Sequence, residues 1–217
     1  MTTACSKFFH AFFMLSVSLL FFSCMQKSKA DKEINNSDSL NIEAGNEYAA
    51  VDRSPVDISY YPPSFPQDKM NNTASTTAPV ARILYSRPHK MNRIIFSNSE
   101  KSLCQYGKFW RLGANEATEI EFFQPVIINN QNVAAGRYTM YCIPFEDKWI
   151  LAINSNLNNW GLDIQPEKDL LRVEVPVQKQ QPTVEDFTIV FAEASYGADL
   201  VIVWDDVKAV LPLMFTK

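Results

Sequence analysis

From residue 80 onward apolar side chains recur at every second position in short runs, and turn-forming residues break the runs. In 137–143 the residues Tyr138, Met140 and Cys142 fall on one face of an extended chain, and in 148–154 Trp149, Leu151 and Ile153 do the same. The intervening Pro144-Phe145-Glu146-Asp147 is turn chemistry, so the two runs read as a hairpin. The same pattern predicts strands over 81–85, 92–96, 118–123, 126–128, 170–175, 187–191, 200–204 and 207–211. Turn signals at Asn129-Asn130-Gln131-Asn132, Ala135-Gly136, Gln181-Pro182 and Ser195-Tyr196-Gly197 separate most of them. No run keeps a 3.6-residue period long enough for a crossover helix. The expectation is an all-β domain, an antiparallel β-sandwich or barrel-like arrangement.

The first residues follow a different pattern. Lys7 precedes an apolar run over 11–22, too short to span a bilayer core of about 30 Å as a helix but suited to the core of an export signal. Ser23-Cys24 resembles a bacterial lipobox, which predicts a lipoprotein signal peptide over 1–23 and lipidation of Cys24. That places the protein at the cell envelope, periplasmic or cell-surface, lipid-anchored to a bacterial membrane; an ordinary signal peptide cleaved nearby is the alternative. Over 24–79 Lys, Asp, Asn, Ser, Glu and Pro dominate, which predicts a disordered polar tether ahead of a domain over 80–217. Tyr60-Tyr61-Pro62-Pro63-Ser64-Phe65-Pro66 is the exception and reads as a linker or docking segment rather than a Pro-rich recognition motif.

Composition removes several functions. The 217 residues are 47% hydrophobic with a formal net charge of -4 and no basic run, so no nucleic-acid partner is expected. Beyond the signal the chain has one histidine, His89, and neither Cys-x-x-Cys nor His-x-x-x-His, so no metal is expected on nitrogen or sulfur ligands. Asp199, Asp205 and Asp206 lack the spacing of a calcium loop. No Gly-rich phosphate loop points to a nucleotide cofactor, and no Gly-x-Ser-x-Gly elbow points to a serine hydrolase. Cys104 and Cys142 are read as small buried hydrophobes, with one disulfide as the alternative.

What remains is the stretch Tyr106-Gly107-Lys108-Phe109-Trp110-Arg111-Leu112-Gly113-Ala114-Asn115-Glu116-Ala117-Thr118. It crowds Trp110, Arg111, Asn115 and Glu116 between strand-like runs, where such groups must find partners or water. One reading is a buried network, with Arg111 paired to Glu116 or Asp169 and the Asn115 amide on loop backbone. The other is a concavity that presents Trp110 or Trp160 to a glycan or other polar ligand. Glu119 and Glu121 read as the wet face of a strand with Ile120 and Phe122 inside; as paired carboxylates with Glu116 they would serve an envelope hydrolase. A purely structural envelope protein is the third possibility.

This block, with Tyr85-Ser86-Arg87-Pro88, Ala135-Gly136-Arg137-Tyr138, Ile143-Pro144, Trp160-Gly161 and Lys168-Asp169-Leu170-Leu171-Arg172-Val173, resembles the DUF2911 family over residues 80–213. That is a family of secreted bacterial proteins with no established activity, so the resemblance implies an assignment and no chemistry. The chain departs from the family pattern at Gln105, at Met91-Asn92 and in carrying Cys104 and Cys142. The candidate ligand-binding residues are Trp110, Arg111, Asn115 and Glu116 with Arg87, Trp160, Asp169 and Arg172, and no catalytic residue is assigned.

Overall fold

A computed structural model describes residues 52–215. The predicted signal peptide, the lipidation site Cys24 and the first part of the predicted tether lie outside the described residues. The strands are β1 (Val56–Tyr61), β2 (Ala81–Ser86), β3 (Phe96–Ser97), β4 (Cys104–Gln105), β5 (Thr118–Phe122), β6 (Val126–Ile128), β7 (Gln131–Val133), β8 (Gly136–Pro144), β9 (Lys148–Asn154), β10 (Asp169–Ala194) and β11 (Gly197–Phe215). One short helix, α1, spans Phe65–Met70. Nine strands form one antiparallel sheet in the order β1-β2-β5-β8-β9-β10-β11-β6-β7, and β3 pairs with β4 apart from it.

The sheet encloses its own core because the β10–β11 hairpin is bent. Residues Asp169 to Pro176 of β10 pair with β9, whereas residues from Val177 to Ala194 pair with β11. Within the β11 pairing the register shifts twice, between Lys179 and Val184 and between Val184 and Thr188, and Asp205 of β11 has a left-handed φ of 55°. The far half of β10 therefore reaches back to β1, where the Phe191 amide donates to Ser59 Oγ at 3.3 Å. Inward residues of both halves meet in one cluster: Ile83, Ile120, Met140, Leu151 and Val173 from one side, Phe187, Ile189, Leu200, Ile202 and Trp204 from the other. The all-β antiparallel expectation holds. Period-2 alternation is its cause, as in β5, where Thr118, Ile120 and Phe122 are buried and Glu119 and Glu121 are half-buried.

Three boundaries differ from the sequence expectation. Residues 56–61 form a strand rather than tether: β1 pairs with β2 over six residues, from Val56 opposite Ser86 to Tyr61 opposite Ala81. The Tyr61 ring stacks on Phe215 with centroids 5.1 Å apart, and its hydroxyl donates to Gly197 O at 2.6 Å. Local composition hides this strand because long-range pairing stabilises it. The strand predicted over 92–96 shrinks to β3, because Met91 and Asn92 take left-handed φ values of 50° and 58° and turn the chain. The runs 170–175 and 187–191 are one continuous strand, as are 200–204 and 207–211; Gln181-Pro182 marks the bend rather than a turn between strands.

The outward face of β8 and β9 is also covered. Thr139, Tyr141, Ala152 and Asn154 are buried there, outside the main core, under the connection between β9 and β10. Asn154 Nδ2 donates to Gln165 O at 2.8 Å, and Thr139 Oγ1 to Asn156 O at 3.1 Å, which fasten that connection to the sheet. Cys104 and Cys142 are free and buried. Burial pushes both thiols well above their ordinary pKa, as expected of small core residues.

A chain beginning at residue 52 is expected to melt in one cooperative transition. One beginning at residue 78, which lacks β1 and Tyr61, is expected to melt at least 10 °C lower or without a cooperative transition, a loss of several kcal/mol. Equal melting temperatures for the two chains would show that β1 is dispensable.

Candidate functional site

The loop from Tyr106 to Thr118 is pinned at Trp110, whose backbone N–H donates to Cys142 O and whose C=O accepts from Cys142 N, both at 2.7 Å. The indole points into the core, edge-on to Trp149 at 5.6 Å and Phe187 at 5.0 Å and stacked on Trp204 at 5.9 Å. Trp110 is thus a core residue, not the aromatic platform that was its functional reading. The backbone then leaves β geometry. Leu112 is fully buried at φ 54°, Asn115 sits at φ 58°, and a Cβ on Gly113 (φ 150°) would lie 2.7 Å from Ser86 O. Left-handed backbone at Leu112 costs about 1–2 kcal/mol, sustained by the burial of Leu112 itself and by the 2.6 Å bond from Thr118 Oγ1 to Leu112 O.

These turns disperse the polar cluster. Asn115 Nδ2 donates to Asp52 Oδ2 at 2.6 Å rather than to loop backbone. Arg111 makes no ion pair with Glu116 or Asp169 among the described residues. Asp169 is already occupied: its carboxylate accepts from Tyr141 Oη at 2.6 Å, Asn154 Nδ2 at 2.7 Å and Arg172 Nε at 2.6 Å, while Arg172 Nη2 also donates to Tyr141 Oη at 2.9 Å. The buried polar network exists, but it is built on Asp169 and Arg172, not on Arg111. Burial and the adjoining carboxylate raise the Tyr141 hydroxyl pKa well above its usual range. Arg87 is likewise structural: it pairs with Asp57 at 3.0 Å and donates to Thr188 Oγ1 at 3.3 Å.

Glu116 and Trp160 do come together. They form an isolated antiparallel bridge, and Trp160 keeps 54% of its surface exposed. Beside them lies a groove of about 460 Å³ on the outward face of β2 and β5. Leu84, paired opposite Glu119, floors it; Glu116 and Glu119 line it as carboxylates; Asn158, Asn159 and Trp160 of the strap between β9 and β10 also line it. Arg137 holds the strap in place, donating to Asn158 Oδ1 at 2.8 Å, and lies 3.6 Å from Glu119. Sequence reasoning identified Trp160 and Glu116 and treated Glu119 as a wet strand face; that same outward alternation is what turns Glu119 into the groove. It missed Leu84, Asn158 and Asn159. Leu84 is legible only through its pairing with Glu119, which no single-strand pattern reveals.

Comparison with known proteins bears on the assignment. A family model described as "Protein of unknown function (DUF2911)" matches residues 51–213. The chain belongs to the DUF2911 family. No curated protein and no solved structure matches it. The DUF2911 match begins before β1, in keeping with a domain that includes this strand, and it takes in both the groove and the Asp169 network. Among the described residues no three His, Cys, Asp or Glu side chains gather to hold a metal ion, and no helix is long and apolar enough to cross a membrane.

Asp169 and Arg111 should respond differently from what their sequence neighbours suggest. Asp169→Ala leaves Tyr141, Asn154 and Arg172 without their acceptor and is expected to cost about 3 kcal/mol. Arg111→Ala removes no protein–protein hydrogen bond and is expected to cost about 1 kcal/mol or less, additive with Glu116→Ala within about 0.5 kcal/mol. Denaturant melts of the single and double variants measure both; a large, non-additive Arg111 effect would restore the Arg111–Glu116 pair.

Proposed function

We propose that this domain is an envelope binding module that takes a glycan, or another ligand with a flat apolar face and hydroxyl groups, in the Trp160 groove. The observation that carries the reading is the meeting of an exposed indole with two carboxylates and two amides in one concavity of about 460 Å³. A pyranose offers axial C–H groups to stack on an indole face and equatorial hydroxyls to donate to Glu116 and Glu119 and to bond Asn158 and Asn159. Burying the indole face contributes the affinity; the carboxylates and amides contribute orientation. The same two carboxylates support a second reading, an envelope hydrolase in which Glu116 and Glu119 share the work of acid and base.

The module is proposed to be tethered: Cys24, acylated after removal of residues 1–23, would hold it at a bacterial membrane with the following polar residues as spacer. Trp160 is the exposed tryptophan of the four, the others being core residues, so indole fluorescence reports on the groove.

Titration with oligosaccharides of β-linked glucose or N-acetylglucosamine is expected to quench Trp160 saturably, and Trp160→Ala to weaken binding at least tenfold, about 1.4 kcal/mol or more. Glu116→Gln and Glu119→Gln should weaken it severalfold; cleavage of the oligosaccharide by the unmodified chain, abolished in either variant, would move the reading to the hydrolase. Absence of any saturable change across the series leaves the purely structural protein.

Cys24→Ala is expected to shift the protein from the membrane fraction to the soluble one. Unchanged membrane fractionation with residues 1–23 still removed would refute the lipid anchor.

A further inference from the structure

Gly161, Leu162 and Ile164 of the same strap line a second cavity, of about 380 Å³, with the opposite electrostatic character. Arg93 and Arg111 line it, no acidic side chain does, and the rest of its wall is largely apolar: Leu103, Phe109, Trp110 and Leu162 among others. Three of those side chains keep much of their surface in water, Leu103 at 46%, Phe109 at 51% and Leu162 at 75% exposure.

Arg111 is the unusual member. Its Nη1 is buried with no hydrogen-bond partner, and among the described residues its side chain neither joins a carboxylate in an ion pair nor donates a hydrogen bond. Its stem is clamped by the strap: a Cβ on Gly161 would lie 2.2 Å from Arg111 Cδ, so only glycine lets the strap close over it. Burial lowers the guanidinium pKa, and the Glu116 carboxylate, which does not line the cavity, offsets that only in part. An arginine whose side chain makes no hydrogen bond among the described residues, lining a cavity without acids, matches a carboxylate or phosphate, which accepts two parallel N–H bonds. Arg93 adds charge at the rim, two of its nitrogens already committed to the carbonyls of His89 and Lys90.

We propose that this cavity is a second binding site, for a small amphipathic oxyanion: a carboxylate or phosphate monoester on Arg111, joined to an apolar chain or ring that lies between Phe109, Leu103 and Leu162. Binding covers an exposed apolar wall and offers an acceptor to a guanidinium that has none among the described residues. It does not depend on the Trp160 groove or on the lipid anchor. A phospholipid headgroup offers the same phosphate chemistry, and the experiment separates the two sources.

The test titrates the purified chain by calorimetry with octyl phosphate and decanoate, each below its micellar concentration, against decanol and inorganic phosphate. Saturable binding of the two amphipathic anions is expected, with the neutral and the tail-less compounds at least tenfold weaker. Arg111→Gln should reduce affinity at least tenfold, Arg111→Lys less, and Trp160→Ala not at all. Leu162→Asp keeps the test alive if Arg111→Gln fails to fold: at a position 75% exposed it leaves the fold intact, and its carboxylate at the mouth should also reduce affinity at least tenfold. Equal binding of decanol, an unchanged affinity in Leu162→Asp, or no saturable binding of either anion overturns the site. So does co-sedimentation with phosphatidylglycerol vesicles that Leu162→Asp does not alter, in the absence of binding to the free amphiphiles.

Discussion

The burial of one indole governs the arrangement of both grooves. Trp110 is exposed by only 8% although it lies outside the main sheet ladder, bridged to β8 at Cys142 alone. Removing an indole from water contributes about 5 kcal/mol before entropy is counted, which is enough to hold a loop against its own strain. Once Trp110 is fixed inward, alternation sends Arg111 outward and Leu112 inward again, and the chain has only Leu112 to Ala117 in which to turn and enter β5 at Thr118. That shortage of chain is why Leu112 and Asn115 take left-handed φ and why Gly113 must be glycine against Ser86 O.

The same turns explain how much of the site was legible in the sequence. The strand faces were legible because one face of most strands is wet, so that Ile120 and Phe122 are buried while Glu119 and Glu121 are not. The polar cluster was found but its pairing was not. Arg111, Asn115 and Glu116 are neighbours in sequence, and a regular backbone would keep them neighbours in space. Left-handed backbone at Leu112 and at Asn115 itself sends Arg111 beneath Gly161, Asn115 to Asp52 and Glu116 to Trp160. The anion that sequence reasoning offered Arg111 was taken instead by Arg172, three residues along the same strand as Asp169, with Tyr141 and Asn154 supplied by β8 and β9. Register between strands decides such competition, and one-dimensional spacing does not encode it.

The edge of the domain was missed for a related reason. Val56 to Tyr61 is six residues flanked by polar chain and prolines, and alone it has too little apolar surface to read as part of a core. Its partners are β2, through the ladder, and Phe191 and Phe215, through Tyr61, the latter two lying more than a hundred residues away. Such a strand is stabilised almost wholly by contacts that a local window cannot contain.

The strap is where these constraints converge. Main-chain bonds from Gly161 N to Asn115 O at 3.2 Å and from Ala117 N to Asn159 O at 3.4 Å tie it to the turning segment. Three successive residues then serve three surroundings: Trp160 the acidic groove, Gly161 the Arg111 stem, Leu162 the cationic cavity. Carboxylates line the groove at Trp160 and guanidiniums the cavity at Leu162, with net charge -4 over the chain as a whole. Long-range attraction therefore does not draw an anion to the Arg111 side, and beyond a Debye length of about 8 Å salt screens what repulsion remains. Recognition there rests on contact: desolvation of an apolar body against Phe109 and Leu162, and a guanidinium whose Nη1 has no acceptor among the described residues. An anion lacking the apolar part obtains only half of that interaction, and an apolar chain lacking the anion leaves Arg111 as it found it.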